Sequence, residues 1–199
     1  GPLALPGKYA VQLIKVENGK VDTLADKVNF QLLTLQNNTL PVIRPELDAF
    51  NKELSEFRRV VLATAEYCNN VKERVKYIKA GVLQMNSVSA DLISELKETE
   101  SLLQNIDLSL RGDQSLARRE FETLSGLIGT VEGIVDNLWS TTAQQTGTYV
   151  QRLDQCKRTF SNIYTNAKLL KSKIESIENK LEDRKAPYTP GRFPEYKGK

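Results

Sequence analysis

The sequence predicts a mainly α fold: an antiparallel bundle of about four helices, two of them very long, with an N-terminal β-hairpin. Three observations carry this. The first is a ladder of apolar residues, Leu47, Phe50, Leu54, Phe57, Val61, Ala65, Cys68, Val71, Val75, Ile78 and Val82. Steps of three and four place them all on one face of a helix. The second is a ladder of the same rhythm: Leu153, Cys156, Phe160, Ile163, Ala167, Leu170, Ile174, Ile177 and Leu181. Two long amphipathic helices must bury those seams against partners, which is the logic of a helical bundle. The third is a change of period near the N-terminus.

There, Tyr9, Val11 and Leu13 alternate with Lys8, Ala10 and Gln12, a period of two. Asn18-Gly19 supplies the positive-φ pair of a tight hairpin turn, and Val28, Phe30 and Leu32 alternate with Asn29 and Gln31 beyond it. An isolated hairpin is marginal in water. The pair is therefore expected to lie on the helices or to form the edge of a β-sandwich whose other strands lie elsewhere. Residues 1–36 are read as this β unit, 45–185 as the helical bundle and 186–199 as an extended C-terminal tail.

Residues 35–44 read as a linker punctuated by Pro41, and Pro45 suits the first turn of the first long helix, where its missing N–H costs nothing. That helix is expected to stop near Gly81, a span of roughly 55 Å. Ser87 or Ser89 caps the next, with Leu92, Leu96, Leu103, Ile106 and Leu110 as its seam, and Arg111-Gly112-Asp113 breaks it. The register is lost from Ser115 to Arg119. A shorter helix is expected from Glu120 to Leu138, with Leu124, Leu127, Val131, Ile134 and Leu138 on one side. Gly126, Gly129 and Gly133 recur at helical spacing there, and since a helical glycine costs about 1 kcal/mol, they predict close backbone approach to a neighbour. A polar loop covers Ser140 to Thr148, and the last long helix runs to about Asp183. The prolines and Gly191 of the stretch 187–194 exclude a helix, and its aromatics predict a tail that folds back.

The hydrophobic fraction of 40 % in 199 residues supports a sizeable core, and no apolar run approaches the ~18 residues of a membrane span. The opening Gly1-Pro2-Leu3 lacks an initiator methionine, which suits a piece of a longer protein. A net charge of +3 is too small to imply a nucleic-acid partner. From Lys157 to Lys199, however, eleven cationic residues face five acidic ones, a local +6. Either this is a solvated helix face, its cations alternating with Glu175, Glu178 and Glu182, or it is an anionic docking surface. Cys68 and Cys156 both sit on seams, as small buried thiols or, if their helices lie side by side, as a disulfide. Neither shows CxxC spacing, so no metal site is expected.

No histidine occurs. That removes the commonest general base, the triads built on it and most catalytic zinc sites. Glu53, Glu56, Glu66 and Glu73 fall on the polar side of the first helix, where no cleft raises a carboxyl pKa as a glycosidase pair requires. The three glycines lack the strand that precedes a phosphate-binding loop. Arg111-Gly112-Asp113 is read as local structure, a helix C-cap followed by an N-cap, rather than as an adhesive tripeptide. No catalytic residue, cofactor or metal is expected. Trp139 is read first as a core anchor and, in the alternative, as a contact to a partner; the other candidate partner contacts are Arg192 and Phe193 in the tail.

Several segments resemble the C-terminal region of large secreted bacterial proteins described as sortilin-like (VPS10-type) or BNR-repeat "glycosyl hydrolase" β-propellers. They are Leu5-Pro6-Gly7-Lys8-Tyr9-Ala10-Val11-Gln12-Leu13, the break Leu110-Arg111-Gly112-Asp113, Gly133-Ile134-Val135 to Trp139-Ser140-Thr141, and Tyr188-Thr189-Pro190-Gly191-Arg192-Phe193-Pro194-Glu195-Tyr196. The resemblance implies a β-propeller followed by a small β-domain and then helices, of which this chain would hold the last hairpin and the helical end. It carries no catalytic or ligand residue, because propeller blades and Asp-box repeats are absent here. It implies a secreted, periplasmic or cell-surface location and a non-catalytic interaction module of a larger machine. An accessory domain completing a glycosidase-like site elsewhere, or a free-standing coiled-coil-like interaction protein, are the alternatives.

Overall fold

The computed structural model describes residues 1–34, 42–85, 89–194 and 196. Most of the linker expected at 35–44, including Pro41, lies outside the described residues, as do Ser87 and the tail positions 195 and 197–199.

Two antiparallel ladders follow one another along one ribbon. Strand β1 (Gly7–Val11) pairs with β4 (Val28–Leu32), and β2 (Ile14–Glu17) pairs with β3 (Lys20–Thr23). The turn is the expected one: Asn18 and Gly19 take φ of 50° and 77°, as a type I′ hairpin demands. Four residues, 24–27, oppose two, 12–13, between the ladders, and the amides of Leu24 and Ala25 both reach the Leu13 carbonyl, at 2.9 and 3.4 Å. The register places Tyr9 beside Phe30 and Val11 beside Val28 on one face, with the Tyr9 and Phe30 rings stacked at 5.8 Å. Those four side chains are exposed. The helices do not cover this face, so the hairpin does not lie on the bundle.

The helices are α1 (Arg44–Leu83), α2 (Ala90–Arg111), the single turn α3 (Gln114–Ala117), α4 (Leu127–Trp139) and α5 (Gly147–Asp183). Every residue of the two ladders is buried except Phe57, which is half-buried and meets Phe160 edge to face at 5.5 Å. Pro45 sits in the first turn of α1. The Ser89 hydroxyl accepts from the Leu92 amide, so Ser89 caps α2.

Cross-helix pairs fix the directions. Glu53 with Lys157 and Arg74 with Glu178 are both 104 positions apart, so α1 and α5 run parallel. Lys79–Glu100 and Lys72–Asp107 set α2 antiparallel to α1. Arg58–Glu132, with the Ile43 amide donating to Gln144 Oε1 at 2.8 Å beyond the helix end, does the same for α4. The α1–α2 pairs sum to 179, whereas Arg58 and Glu132 sum to 190, so about eleven residues are looped out between α2 and α4. The fold is mainly α, as expected. Its helices form three rods: α1 and α5 parallel, and α2 continued by α4 antiparallel to both. Of the antiparallel bundle of about four helices that was expected, α1 against α2 and α4 against α5 run antiparallel, whereas α4 keeps the direction of α2.

Three further expectations are revised. Residues 120–126 are not helical; Glu120 takes a φ of 60°, and Leu124, placed on the helix seam by its spacing, is 92 % exposed. Of the three glycines, only Gly126 meets a neighbouring backbone. A Cβ there would lie 2.4 Å from the Gly112 nitrogen, while one on Gly133 would meet nothing within 4 Å. Gly81, expected as the helix stop, lies two residues inside α1. A Cβ on it would stand 3.0 Å from Thr189 Cγ2, so its smallness admits the tail.

Candidate functional site

Chemistry-bearing side chains are mostly committed to the bundle itself. Among the described residues no group of three or more His, Cys, Asp or Glu is placed to hold a metal ion. Among the described residues, three cations of the basic C-terminal run make cross-helix ion pairs. Lys157 reaches Glu53, Lys173 reaches Glu98 at 2.9 Å, and Lys180 reaches Glu95. Burial raises the Glu95 carboxyl, but hydrogen bonds from Lys180 and Ser176 outweigh it, and its pKa is held below the ordinary carboxylate value.

Arg111-Gly112-Asp113 is local structure. Gly112, with φ of 75°, ends α2 and donates to the Leu108 carbonyl at 2.8 Å. Asp113 caps α3 through the amides of Ser115 and Leu116, which hold its carboxyl below the usual range together with the Ser115 hydroxyl. Arg111 is held by Asp107 at 2.7 Å and by Asn69 Oδ1 at 3.2 Å.

The three candidate partner contacts fall into different settings. Trp139 ends α4 half-buried, with the Arg58 guanidinium 5.7 Å over its ring and Arg58 Nε bound to Glu132 at 2.9 Å. Among the described residues its buried indole Nε1 has no hydrogen-bond partner. Arg192 is turned inward: only 7 % exposed, it pairs with Glu182 at 3.1 Å and donates to the Ala186 and Pro187 carbonyls at 2.9 and 3.0 Å. These contacts tie the tail to α5. Phe193 is bare at 89 %, beside the exposed Tyr188 and Tyr196. The tail folds back as expected, but Thr189 and Arg192 hold it, and its aromatics stay outside.

Cys68 and Cys156 are free and buried. In the parallel register Cys156 stands opposite Lys52, sixteen residues from Cys68 along α1, or roughly 24 Å. A disulfide needs Cα atoms within about 7 Å, so the bridge is excluded. Burial pushes the Cys68 thiol up to about 11 and raises Cys156 as well.

Among the described residues no helix is long and apolar enough to cross a membrane. Comparison with models of protein families, with curated proteins and with solved structures finds no match. Function therefore has to be read from surfaces, and two stand out that sequence reasoning did not locate. One is the bare apolar face of the ribbon. The other is a groove of about 430 Å³ between α1 and α5, with Thr64 and Ala167 buried in its floor. The alternation of residues 9–13 and 28–32 signalled the first, though not that it is uncovered. Nothing local could signal the second, because its walls are 104 positions apart.

Proposed function

We propose that this chain is a non-catalytic helical interaction module appended to a larger secreted or cell-surface bacterial β-propeller protein. The observation that carries the reading is the ribbon. Its β1–β4 ladder has one face of Tyr9, Val11, Val28 and Phe30, all exposed, and a polar face of Lys8, Asn29 and Gln31. A two-stranded ribbon of this kind is marginal in water, and both outer edges offer unpaired backbone groups to a further strand. A β-domain preceding the ribbon in the same polypeptide supplies both the cover and the missing neighbours. The strand that begins at Gly7 also carries the Pro-Gly-x-Tyr segment on which the resemblance to sortilin-like and BNR-repeat proteins rests.

On this reading the three-rod bundle is a strut, its exterior carries recognition, and its partners are the upstream propeller or another protein. No cofactor is needed, and nucleic acid is not the ligand.

Two measurements test it. The reading frame upstream of Gly1 is expected to encode Asp-box propeller repeats; a frame without them defeats the assignment. In the longer protein, amides of residues 7–11 and 28–32 are expected to exchange at least ~100-fold more slowly than in this chain alone. Equal rates would leave the ribbon uncovered and defeat the reading independently.

A further inference from the structure

The groove between α1 and α5 is built from those two helices alone. The parallel register aligns its walls: Val60 faces Tyr164, Ala63 faces Ala167, and Tyr67 faces Lys171, each pair 104 positions apart. It therefore runs two helical turns, about 10 Å, with a tyrosine at each end and small residues between. The floor makes no polar demand, because the Thr64 hydroxyl donates to the Val60 carbonyl at 2.9 Å. This is a notch of the kind that receives one large side chain from a crossing helix.

The charges that line it are cationic, and carboxylates of the same helices offset two of the three. Arg59, Lys168 and Lys171 line the groove, and no carboxylate does. Glu56 holds Arg59 from its own helix, and Glu175 stands 3.8 Å from Lys171. Lys168 lies 5.0 Å over the Tyr164 ring and, among the described residues, has no carboxylate partner.

We propose that this groove docks an acidic amphipathic helix of a partner protein. One large apolar side chain seats between Tyr67 and Tyr164 over Ala63, Thr64 and Ala167. Carboxylates one turn to either side meet Lys168 and Lys171, as in helix-in-groove recognition. Nucleic acid is the poorer fit, since the floor is alkyl and the cations are few. The inference stands on α1 and α5 alone and is independent of what covers the ribbon.

The test is selection of helical peptides from a phage-displayed library on the intact chain, with counter-selection on Ala63→Trp. Ala63, Lys168 and Lys171 are exposed, so melting of the variants should match the parent, and Lys168→Gln replaces Lys168→Glu if it does not. Enriched peptides are expected to carry Asp or Glu three or four positions from a Leu, Ile, Met or Phe. Fluorescence anisotropy of a synthetic copy should show at least a ~tenfold loss of affinity in Ala63→Trp and in Lys168→Glu/Lys171→Glu. No enrichment, peptides without carboxylates, or equal binding to the variants would overturn the proposal. So would binding of a labelled oligo-dT strand or of phosphatidylserine vesicles that these substitutions abolish, in place of peptide binding.

Discussion

Gly112 and Gly126 meet backbone to backbone where α2 hands its rod to α4. A methyl on Gly126 would lie 2.4 Å from the Gly112 nitrogen and 2.6 Å from the Leu110 oxygen. One on Gly112 would lie 2.9 Å from the Leu124 oxygen. This contact closes the excursion of residues 113–125 and lets two short helices serve as one partner for two long ones. Gly126→Ala is therefore expected to cost about 3 kcal/mol, the upper range for overpacking. Gly133→Ala, inside α4 with nothing within 4 Å of the added methyl, should stabilise by about 0.5–1 kcal/mol. Urea denaturation followed by circular dichroism measures both; the opposite order would move the close approach into the middle of α4.

Ile78 is fully buried in the α1 seam, and Glu66 lies exposed on the same helix. Ile78→Asp places a carboxylate where neither water nor a cation can reach it, and is expected to remove about 4 kcal/mol or more and abolish cooperative melting. Glu66→Ala should change stability by less than about 0.5 kcal/mol. Similar behaviour in a thermal melt would refute the inward direction of the seam.

The seams were legible because the 3.6-residue period is local: Leu54, Ile78, Leu170 and Ile177 declare their burial through their neighbours three and four positions away. Helix direction was not, because it depends on the Gly112–Gly126 contact and on how much chain leaves the rod between them. Leu124 shows the cost of reading spacing alone. It stands three positions before Leu127, yet closure of the excursion and the positive φ of Glu120 put it in solvent. The tail inverted hydropathy for a physical reason. Arg192 is buried because a carboxylate and two carbonyls meet its guanidinium, whereas Phe193 finds no apolar pocket among the described residues. Of the groove, only single residues were visible; the juxtaposition of Ala63 with Ala167 is tertiary.

Arg74 and Glu178 tie α1 to α5, with Nη2 2.6 Å from each carboxylate oxygen and Nε 3.2 Å from Oε1. Glu178 is 9 % exposed, so removing its partner leaves a charge poorly solvated. Arg74→Ala and Glu178→Ala are each expected to cost about 2 kcal/mol, and the double variant less than their sum by about 1–2 kcal/mol. The exposed Lys76–Glu73 pair should couple by less than about 0.5 kcal/mol. A double-mutant cycle in urea measures both; equal couplings would show that the Arg74 contact is solvated.

Cys68 is 2 % exposed, and burial lifts its thiol to about 11. Below the ordinary thiol value both folded and unfolded chains are protonated, so its contribution to stability is complete there. As pH rises from about 9 toward 11 the unfolded chain ionises first, and the contribution is lost. Relative to Cys68→Ala, the parent should therefore lose stability between pH 8 and pH 10.5, with no relative change between pH 6 and pH 8. A thiol-specific chromogenic disulfide should find neither cysteine in the native chain at pH 8, and both after unfolding in urea without reductant. Rapid native reaction would place Cys68 at the surface, and fewer than two thiols after unfolding would contradict the register that separates it from Cys156.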